Sequence, residues 1–547
     1  MTIVGIPIAI IVFILWVNIR HIKKNTDNNL WDVILFLLLL PVLLICIVTT
    51  TLSLPFLWLY RKLIASVLKI KLGDEFFGLI SGMDVPMACY NSQNSLMSAL
   101  IIYKCRKTTS NDALMKYFRN VVETNWRGIN NAYMKKFFTA IDEYMGCLYL
   151  KNSQINIEEC ICELASTEEE LDRDKLIKLL GDYYYKPLPP NALWDFHIGL
   201  KPLKWKDDPD VNYYPMFVRV HHVITDGITL TNLLSKVFAD EIQLDKPQVF
   251  PVEQHKELLM KKIVKIIYSF LNSLVYCLSS LFLCLILKGH DNNAWSKTST
   301  SNKEILQFCT DEDGSYFRKV KEIKRKCDGT LFSEILMTAL SASLDGYFKK
   351  NNLDNPKTIT LLVPVVTNQA IRGLITNPVD IKDIKLINNF TVLLIKLPIN
   401  IDKNKKFNKK SPLISRLHLI KESTNLHPVE YNISHILFSK MMSNFPSGIG
   451  KSFMSKMKNT SAMSVLPGPP PFSHCNGIFI ASDIIFWIPH VINLAVNFSC
   501  YTFNDRLTCG LNCNSSIISE QTQVDEILGN IYKYIDVIEE EVNKKCN

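Results

Sequence analysis

Two adjacent histidines, His221 and His222, followed by Asp226-Gly227, are the residues in this chain best suited to chemistry. An imidazole has an unperturbed pKa of about 6.5, so it can take a proton from a hydroxyl group near neutral pH and pass it to a leaving group. The alternative is a pair of core histidines with satisfied hydrogen bonds. The fixed spacing of four such residues favours a site.

The flanking sequence predicts the elements that position these histidines. Met216 to Val220 is rich in β-branched and large apolar residues, which predicts a buried strand that ends at the pair. Asp-Gly is a turn signal, and apolar residues from Ile228 to Phe238 recur at helical spacing. A second strand is expected at Leu193 to Ile198, beside the first. The histidines would therefore lie at the end of a strand, before a tight turn and a helix.

The string from His221 to Gly227 resembles the HHxxxDG signature of the CoA-dependent acyltransferase superfamily. Other segments resemble, in order and rough spacing, elements of its wax ester synthase/diacylglycerol acyltransferase family. These are an early Gly-x-Asp at Gly82-Met83-Asp84, a PLW-like Ala192-Leu193-Trp194, a Pro-Gly-Pro loop at Val465-Leu466-Pro467-Gly468-Pro469, and a carboxy-terminal Ser-Tyr segment at Ser499-Cys500-Tyr501 with Gly510-Leu511. The resemblance runs from about residue 80 to the end.

This resemblance implies an α/β, two-lobed fold similar to chloramphenicol acetyltransferase, with mixed sheets, a tunnel between the lobes and added N-terminal membrane helices. It implies that His222 is the general base, that His221 is structural and that Asp226 holds the turn. The residues it places at the substrate or cofactor are Gly227, Trp194, Pro467, Gly468, Ser499 and Tyr501. The implied donor is fatty acyl-CoA, a substrate, with no bound cofactor and no metal. The implied acceptor is a fatty alcohol or diacylglycerol.

The chain departs from the family's pattern at two places. The family's Asn-Asp pair before a helix is represented only by Thr330 to Glu334, and Val363-Pro364-Val365 lacks the arginine that usually follows, with Asn368 nearby and Arg372 further on. Two alternatives therefore stay open: an acyltransferase for another alcohol, and a catalytically inactive, membrane-bound lipid-binding protein with the same fold.

Composition favours an apolar, membrane-associated protein. Apolar residues make up 48% of the 547 residues, charged residues only 21%, and the net charge is +9. A basic excess suits an anionic membrane surface or a phosphate-bearing substrate. The lysines of Lys403 to Lys410 are interpreted as a solvated loop, and no aromatic interleaving favours nucleic acid. The 15 cysteines lack paired zinc-site spacing and are interpreted as mostly reduced.

The N-terminal region is expected to enter the membrane. Ile3 to Val17 is uncharged, and Arg20, Lys23 and Lys24 follow that run instead of preceding it, which argues against a cleavable signal. Val33 to Tyr60 is a second uncharged run, long enough to cross a bilayer. Its Pro41 and Pro55 leave open a broken or re-entrant helix. Basic residues flank it on both sides, so a hairpin or re-entrant segment with both flanks in the cytosol is preferred.

A third uncharged run, Ile266 to Leu287, lies between the two halves of the site. Its serines, Asn272 and Tyr276 fall at intervals of three and four, a polar stripe that indicates a helix in the membrane interface or packed on protein. Because both halves must share one compartment, this segment is expected to dip into the membrane without crossing it. Sequons beginning at Asn389, Asn432, Asn459, Asn497 and Asn514 would be glycosylated only in a lumenal half. The lobes are expected in the cytosol, on the endoplasmic reticulum membrane.

The resulting domain prediction has four parts: an anchor at 1–62, a first lobe at 63–245, a linker with a membrane-associated helix at 246–300 and a second lobe at 301–547. In the second lobe, a helix is predicted at Leu331 to Phe348 and buried strands at Thr358 to Val366 and Phe390 to Leu397. Further strands are expected at Ile478 to Ile480, Ile484 to Ile488 and Ile492 to Phe498, and a final helix buries Ile531, Ile535, Ile538 and Val542. Trp487 and His490 are expected to have packing roles.

Overall fold

The structure is a computed structural model of the chain. It describes residues 2–25, 29–89, 92–127, 134–168, 171–206, 208–236, 239, 241–242, 259–287, 291–296, 301, 303–366, 386–401, 411–424, 435–457, 459–491, 494 and 496–546. The lysine run at 403–410, together with Asn368, Arg372, Asn432, Val237 and Phe238, lies outside the described residues.

The described strands and helices alternate along the chain. The strands are β1 Phe76–Leu79, β2 Leu96–Arg106, β3 Thr139–Tyr144, β4 Cys147–Asn152, β5 Ile161–Glu163, β6 Trp194–Ile198, β7 Val211–His221, β8 Glu241–Ile242, β9 Glu304–Thr310, β10 Thr358–Val366, β11 Phe390–Pro398, β12 Ser461–Pro467, β13 Phe472–His474, β14 Phe479–Trp487, β15 Val496–Phe503 and β16 Arg506–Asn514. The helices are α1 Thr2–Asn25, α2 Asn29–Leu72, α3 Asp84–Ala88, α4 Ala113–Val121, α5 Ile157–Cys160, α6 Arg173–Tyr184, α7 Gly227–Lys236, α8 Leu259–Phe282, α9 Ser315–Lys326, α10 Phe332–Lys350, α11 Pro412–Thr424, α12 Ser447–Lys456 and α13 Gln521–Cys546.

The first sheet carries the histidine pair and has, within the described residues, the strand order β5-β6-β7-β2-β14-β13-β8. Alternate side chains of β7 enter different cores, because successive residues of a strand point to opposite faces. Met216, Val218 and Val220 pack in the core that includes α4 and α7, whereas Phe217 packs in the core that includes α6. Burial on both faces explains the nearly continuous apolar run that predicted this strand.

The second sheet has, within the described residues, the order β11-β10-β12-β15-β16-β9. β12 is parallel to both of its neighbours, β10 and β15, whereas the other pairs in this sheet are antiparallel, so the sheet is mixed as expected. The core on this sheet is formed largely by α9, α10, α11 and α13. The buried face predicted for the final helix is observed, since Ile531, Ile535, Ile538 and Val542 are each at most 3% exposed.

The two sheets do not follow the predicted division of the chain at residue 301. Strands β13 and β14 come from the second half of the sequence, but β14 pairs with β2 along Ile480 to Trp487 and β13 pairs with β8. Residues Phe472 to Trp487, which the predicted division assigns to the second lobe, thus belong to the first sheet. The hydrophobic pattern predicted two short strands, at Ile478 to Ile480 and Ile484 to Ile488, where the structure has the single strand β14, and a pattern does not reveal which strand is its partner.

The N-terminal segments and the linker form three helices that pack on each other. Helix α2 is continuous from Asn29 to Leu72, so Pro41 and Pro55 do not break it. Each proline removes one backbone N–H donor, and the other backbone hydrogen bonds of this long helix remain. Within the described residues, one helix, Leu30–Glu75, is long and apolar enough to cross a membrane. Only 11% of its most apolar window is buried in the protein, although a signal sequence meets the same criterion of length and composition.

The polar stripe of the linker helix α8 packs on α1. The backbone N–H of Ser279 donates to Asn18 Oδ1 at 2.9 Å, and Asn18 Nδ2 donates to the carbonyl of Val275 at 2.8 Å. The ring of His21 lies 2.9 Å from Ser279 Oγ and contacts Tyr276 edge-on. The described part of the stripe, Tyr276 and Ser279, thus packs on α1.

The buried sequons change how topology can be tested. Asn459, Asn497 and Asn514 are each at most 2% exposed, and Asn514 Nδ2 donates to the carbonyl of Ser301 at 2.7 Å. A glycan has no room at such positions in the folded chain. Asn514 therefore cannot serve as the reporter expected from the sequence.

Gly510 lies where the two sheets meet, and a side chain there should separate them. A Cβ at Gly510 would lie 2.5 Å from Ser499 Oγ and 2.9 Å from the carbonyl oxygen of Phe486, closer than such atoms approach. We expect Gly510→Ala to lower the free energy of unfolding by about 1–3 kcal/mol, the usual cost of overpacking. The measurement is the unfolding midpoint of the purified protein.

A matched control is Gly529→Ala in α13, where an added Cβ meets nothing within 4 Å. That change should be neutral or stabilising by up to about 1 kcal/mol, because alanine favours helix. Equal stability of the two variants would contradict the close approach at Gly510.

Candidate active site

The two histidines are fixed at the end of β7 by the strands on either side. The N–H of His221 donates to the carbonyl of Leu193 at 2.8 Å, just before β6, and the N–H of His222 donates to the carbonyl of Ser95 at 2.8 Å, just before β2. The N–H of Ile224 then returns to the carbonyl of His221 at 2.9 Å, which closes the turn. The backbone of the pair is therefore set by paired strands, which are more rigid than a loop.

Asp226 joins this turn both to α7 and to the second half of the chain. Its Oδ1 accepts the N–H of Thr229 at 2.8 Å and so caps the first turn of α7. Its Oδ2 accepts the N–H of Asn389 at 3.1 Å, just before β11. Both oxygens are used to hold backbone in place, a geometry suited to support and not to proton transfer. Gly227 follows, where a Cβ would lie 3.2 Å from Leu466 Cδ1.

His222 has the environment of a neutral base. It lines the large cavity described below and its ring lies 5.5 Å, centroid to centroid, from that of Phe390. Its Nδ1 is buried without a hydrogen bond of normal geometry to the described residues. Burial lowers the pKa of His222, although its own backbone carbonyl, Asp226, Asn388 and Asp84 oppose that shift. A neutral imidazole is the form that accepts a proton.

His221 is a structural residue by its contacts. The ring is buried, and its Nδ1 accepts the N–H of Val223 at 3.1 Å. Burial, with smaller contributions from His222 and Lys136, lowers the pKa of His221 to about 3. Its Nδ1 must stay unprotonated to accept that hydrogen bond.

A polar network supports His222 from behind, and most of it was not predicted. Asn388 Nδ2 donates to the backbone carbonyl of His222 at 2.5 Å and to Asp84 Oδ1 at 2.8 Å. Lys136 Nζ lies 2.6 Å from Asp84 Oδ2 and 3.2 Å from the carbonyl of Leu386, and both charged side chains are largely buried. Asp84 belongs to the Gly-x-Asp segment quoted above. Asn388 and Lys136 carried no recognised motif, because only the fold brings them to the histidine.

The cavity beside His222 lies between the two sheets. Strands β2, β7 and β14 of the first sheet and strands β10, β11, β12 and β15 of the second all contribute lining side chains. It contains about 1320 Å³ of space not filled by atoms, part of it open to solvent. The lining is mostly apolar, with examples such as Met97, Ile101, Leu230, Leu362 and Phe486. A mostly apolar lining with one imidazole in the wall suits an apolar ligand and proton transfer.

The residues predicted for substrate or cofactor binding divide into two groups. Gly227 and Tyr501 line the cavity, and the hydroxyl of Tyr501 donates to Thr231 Oγ1 at 3.2 Å. Trp194 does not: it is fully buried, and its Nε1 donates to the carbonyl of Phe137 at 2.9 Å. Its indole completes an aromatic core with Trp126 and Phe137, so its role in binding stays a prediction.

Ser499, Pro467 and Gly468 also hold structure and are not part of the cavity lining. Ser499 Oγ donates to the carbonyl of Phe486 and so ties β15 to β14 across the sheets. The N–H of Gly468 donates to the carbonyl of Thr502 at 2.7 Å, and a Cβ at Gly468 would lie 2.3 Å from that oxygen. Pro467 is the last residue of β12, next to it, while its neighbour Leu466 is the one that reaches the cavity. Their role as binding residues stays a prediction, and these contacts are structural ones.

Trp487 and His490 have more than packing roles. Trp487 lines the cavity and its Nε1 donates to the carbonyl of Gln307 at 3.1 Å. His490 Nε2 lies 2.5 Å from Glu304 Oε1 in a buried polar cluster with Asn512. Burial alone would lower the pKa of His490, but the Glu304 carboxylate raises it overall. This pair joins the segment after β14 to the first residue of β9.

The two departures from the family's pattern have structural explanations in part. Glu334 accepts the N–H of Leu331 at 2.7 Å, so the Thr330 to Glu334 segment forms the start of α10. Pro364 of β10 lines the cavity, whereas Asn368 and Arg372 fall outside the described residues.

Comparisons with known proteins identify the fold. No protein-family model matches the sequence, and no curated protein is similar to it. Among solved structures, the chain is similar to a wax ester synthase/diacylglycerol acyltransferase from Marinobacter aquaeolei VT8, with 12% identity and a TM-score of 0.51. The match covers 84% of this chain and 100% of that chain. It is also similar to a trichothecene 15-O-acetyltransferase from Fusarium sporotrichioides, with 11% identity and a TM-score of 0.55. That match covers 84% of this chain and 94% of the other chain. The two-lobed α/β fold expected from the sequence is thus confirmed.

The buried state of His221 should make stability depend on pH. Above pH 6.5 the His221 ring is neutral in both the folded and the unfolded chain, so its contribution to stability is fully present. As the pH falls from 6.5 towards 3, the unfolded chain binds a proton that the folded chain does not bind. Stability should then fall by about 1.4 kcal/mol per pH unit for this one group. The measurement is the free energy of unfolding from pH 7 to pH 4.

The comparison for this prediction is His221→Asn, whose side-chain oxygen can accept the same N–H without titrating. The free energy of unfolding of the variant should depend less steeply on pH, by the amount that one bound proton contributes. The pKa of His222 is also lowered, and His222 contributes equally to the pH dependence of the free energy of unfolding in both proteins. An unchanged slope in His221→Asn would show that His221 titrates normally.

Proposed function

We propose that the protein is a membrane-bound O-acyltransferase that moves a fatty acyl group from acyl-CoA to a lipid alcohol. The acceptor is a long-chain alcohol, giving a wax ester, or diacylglycerol, giving triacylglycerol. The observation that carries this proposal is the apolar cavity between the two sheets with His222 in its wall. The names of the two structural neighbours, both acyltransferases, are consistent with it.

The proposed reaction uses His222 as the general base. As the acceptor's hydroxyl oxygen bonds to the thioester carbonyl carbon, Nε2 of His222 takes the hydroxyl proton. The carbon–sulfur bond then breaks, and the proton passes to the sulfur, so the products are an ester and free CoA. The pKa of His222, lowered by burial, keeps the ring neutral before the reaction. Asp226 and Asn388 contribute by holding the turn, without taking the proton.

The apolar lining supports long-chain substrates over small ones. Burial of an acyl chain stabilises it by about 0.8 kcal/mol per methylene group, so an apolar channel selects chain length and not a polar group. The three packed N-terminal and linker helices support a membrane location, where such substrates partition. We place the lobes in the cytosol, at the endoplasmic reticulum, because acyl-CoA is available there.

Loss of the base should remove ester synthesis. In a host lacking neutral lipids and supplied with fatty alcohol or diacylglycerol, the wild-type chain should produce wax ester or triacylglycerol in the lipid extract. His222→Ala should lower the rate by a factor of about 10²–10⁴, the range for removal of a general base.

The control for this experiment is His418→Ala, which removes an exposed histidine of α11 and should leave the product unchanged. Equal product from His222→Ala would remove His222 as the base. Absence of product from a folded, membrane-bound wild-type chain would favour the lipid-binding alternative, and product from another alcohol alone would identify a different acceptor.

Asn388 should act as a positioning residue for the base. Asn388→Ala removes the hydrogen bonds to the His222 carbonyl and to Asp84, which are each worth about 1–3 kcal/mol in a buried site. We expect kcat to fall by about 10- to 100-fold, with a smaller change in KM for acyl-CoA, since Asn388 does not line the cavity. Asn388→Asp should be at least as impaired, because a second carboxylate would face Asp84.

The matched control is Asn444→Ala, whose amide donates to the carbonyl of Lys440 on the protein surface. It should retain wild-type kcat. Full kcat in Asn388→Ala would contradict a positioning role.

A further inference from the structure

We propose that α2 lies along the membrane surface and does not cross the bilayer, although it is long and apolar enough to do so. Both ends of its apolar stretch are tied to the catalytic body, one to each lobe. This inference rests on the membrane association proposed above and adds how the protein is attached: to one leaflet, by a helix that runs beneath the body.

The C-terminal end of α2 is fixed to the first lobe. The hydroxyl of Tyr60 donates to the carbonyl of Met145, in the turn between β3 and β4, at 2.9 Å. Arg61 Nη2 donates to the carbonyl of Ile80 at 2.9 Å. One turn further on, Ile64 and Leu68 are at most 2% exposed and pack in a cluster with residues of β4. Tyr60 therefore lies at the surface of the lobe.

The N-terminal part of α2 is fixed to the linker helix α8. The rings of Phe36 and Phe282 lie 5.4 Å apart, edge to face, and both side chains are fully buried. Val33 and Ile22 complete this cluster, so α1 also takes part. The depth of Phe36 in the membrane and the depth of Phe282 must therefore be nearly the same.

The end of α8 is in turn close to the second lobe along the chain. Asp291 is buried there and accepts hydrogen bonds from the Thr360 N–H at 2.6 Å, Thr360 Oγ1 at 2.7 Å and Thr460 Oγ1 at 2.5 Å, and Lys396 Nζ lies 2.8 Å away. From Phe282 the helix continues as a π-turn to Leu287. Even with a fully extended chain from Leu287 onward, Asp291 can be at most about 23 Å from Phe282.

These tethers are too short for a crossing helix. Phe36 and Tyr60 are about 36 Å apart along α2, at a rise of 1.5 Å per residue, and the hydrocarbon core of a bilayer is about 30 Å thick. If α2 crossed the bilayer, Phe36 and Phe282 would lie at the face opposite Tyr60. The tether of about 23 Å would then pull Asp291, and the polar second lobe around it, into the hydrocarbon. A helix parallel to the membrane satisfies both tethers.

The surface of α2 between the two tethers fits lipid and no other occupant. The chain carries no charge from Val33 to Tyr60, and most of its exposed side chains there are large and apolar, with Thr49 and Thr51 among the exceptions. Val42, Ile45, Val48, Leu52 and Phe56 are each more than half exposed. Trp58 lies next to the cationic end, where Lys62 Nζ is 5.7 Å from its ring, an arrangement typical of the boundary between lipid and water. Arg61, Lys62, Lys69 and Lys71 follow, where anionic headgroups would attract them.

Labelling of two engineered cysteines in sealed microsomes tests the proposal. Trp31→Cys and Ile70→Cys place thiols at the two ends of α2, at residues that are 72% and 86% exposed. The full-length variants are treated with a membrane-impermeant maleimide before and after detergent, and peptide mass spectrometry assigns the label. We expect both engineered thiols to react before detergent is added, because both ends lie on the same side.

The native Cys46, in the apolar middle of α2, is an internal control that should stay unlabelled until detergent is added. If the cysteine at position 31 reacts only after detergent while that at position 70 reacts before it, α2 crosses the bilayer and the inference is overturned, whereas the proposed enzyme activity is untouched. If the wild-type chain does not float with the vesicles, membrane association itself fails, and this inference fails with it.

Discussion

The candidate site depends on a short contact between two segments far apart in the sequence. The residues just before β11, Asn388 and Asn389, reach the turn that follows β7 and bind it twice, once at the backbone carbonyl of His222 and once at the Asp226 carboxylate. Each sheet supplies one wall of the cavity, and this contact holds the turn after β7 against the residues just before β11. Without it, β7 would still present two histidines, but the turn that carries them would lose its two hydrogen bonds to the second half of the chain.

Burial, as well as geometry, determines the chemistry of the two histidines at this contact. His221 and His222 are enclosed by apolar strands and by a polar network in which Asp84 is paired with Lys136. Burial disfavours the charged imidazole, and the pKa values of both rings are lowered. The two rings differ in their contacts: Nδ1 of His221 accepts the Val223 N–H, whereas His222 lines the cavity.

Local elements were predictable from the sequence, and partnerships between distant elements were not. The strand before the histidines follows from its run of β-branched and large apolar residues, and the helix after them follows from apolar residues at helical spacing. The pairing of β6 with β7 was also expected, and Asp195 and Arg219 meet across it. In contrast, Trp194 satisfied a motif and yet lies in an aromatic core, since a match in letters does not fix which face of a strand a side chain occupies. Asn388 and Lys136 had no local signal, because their partners are supplied only by the fold.

The exchange of β14 into the first sheet also constrains how the chain can be made. β2 pairs with β7 on one side and with β14 on the other, so it is interior in the finished sheet. During synthesis, β7 emerges long before β14, and β2 must wait as an open edge whose N–H and C=O groups lack their second partner. The first sheet is complete only after Trp487 has left the ribosome. A first half cut at the linker therefore lacks β13 and β14, which complete the first sheet, whereas the six described strands of the second sheet all lie after the linker.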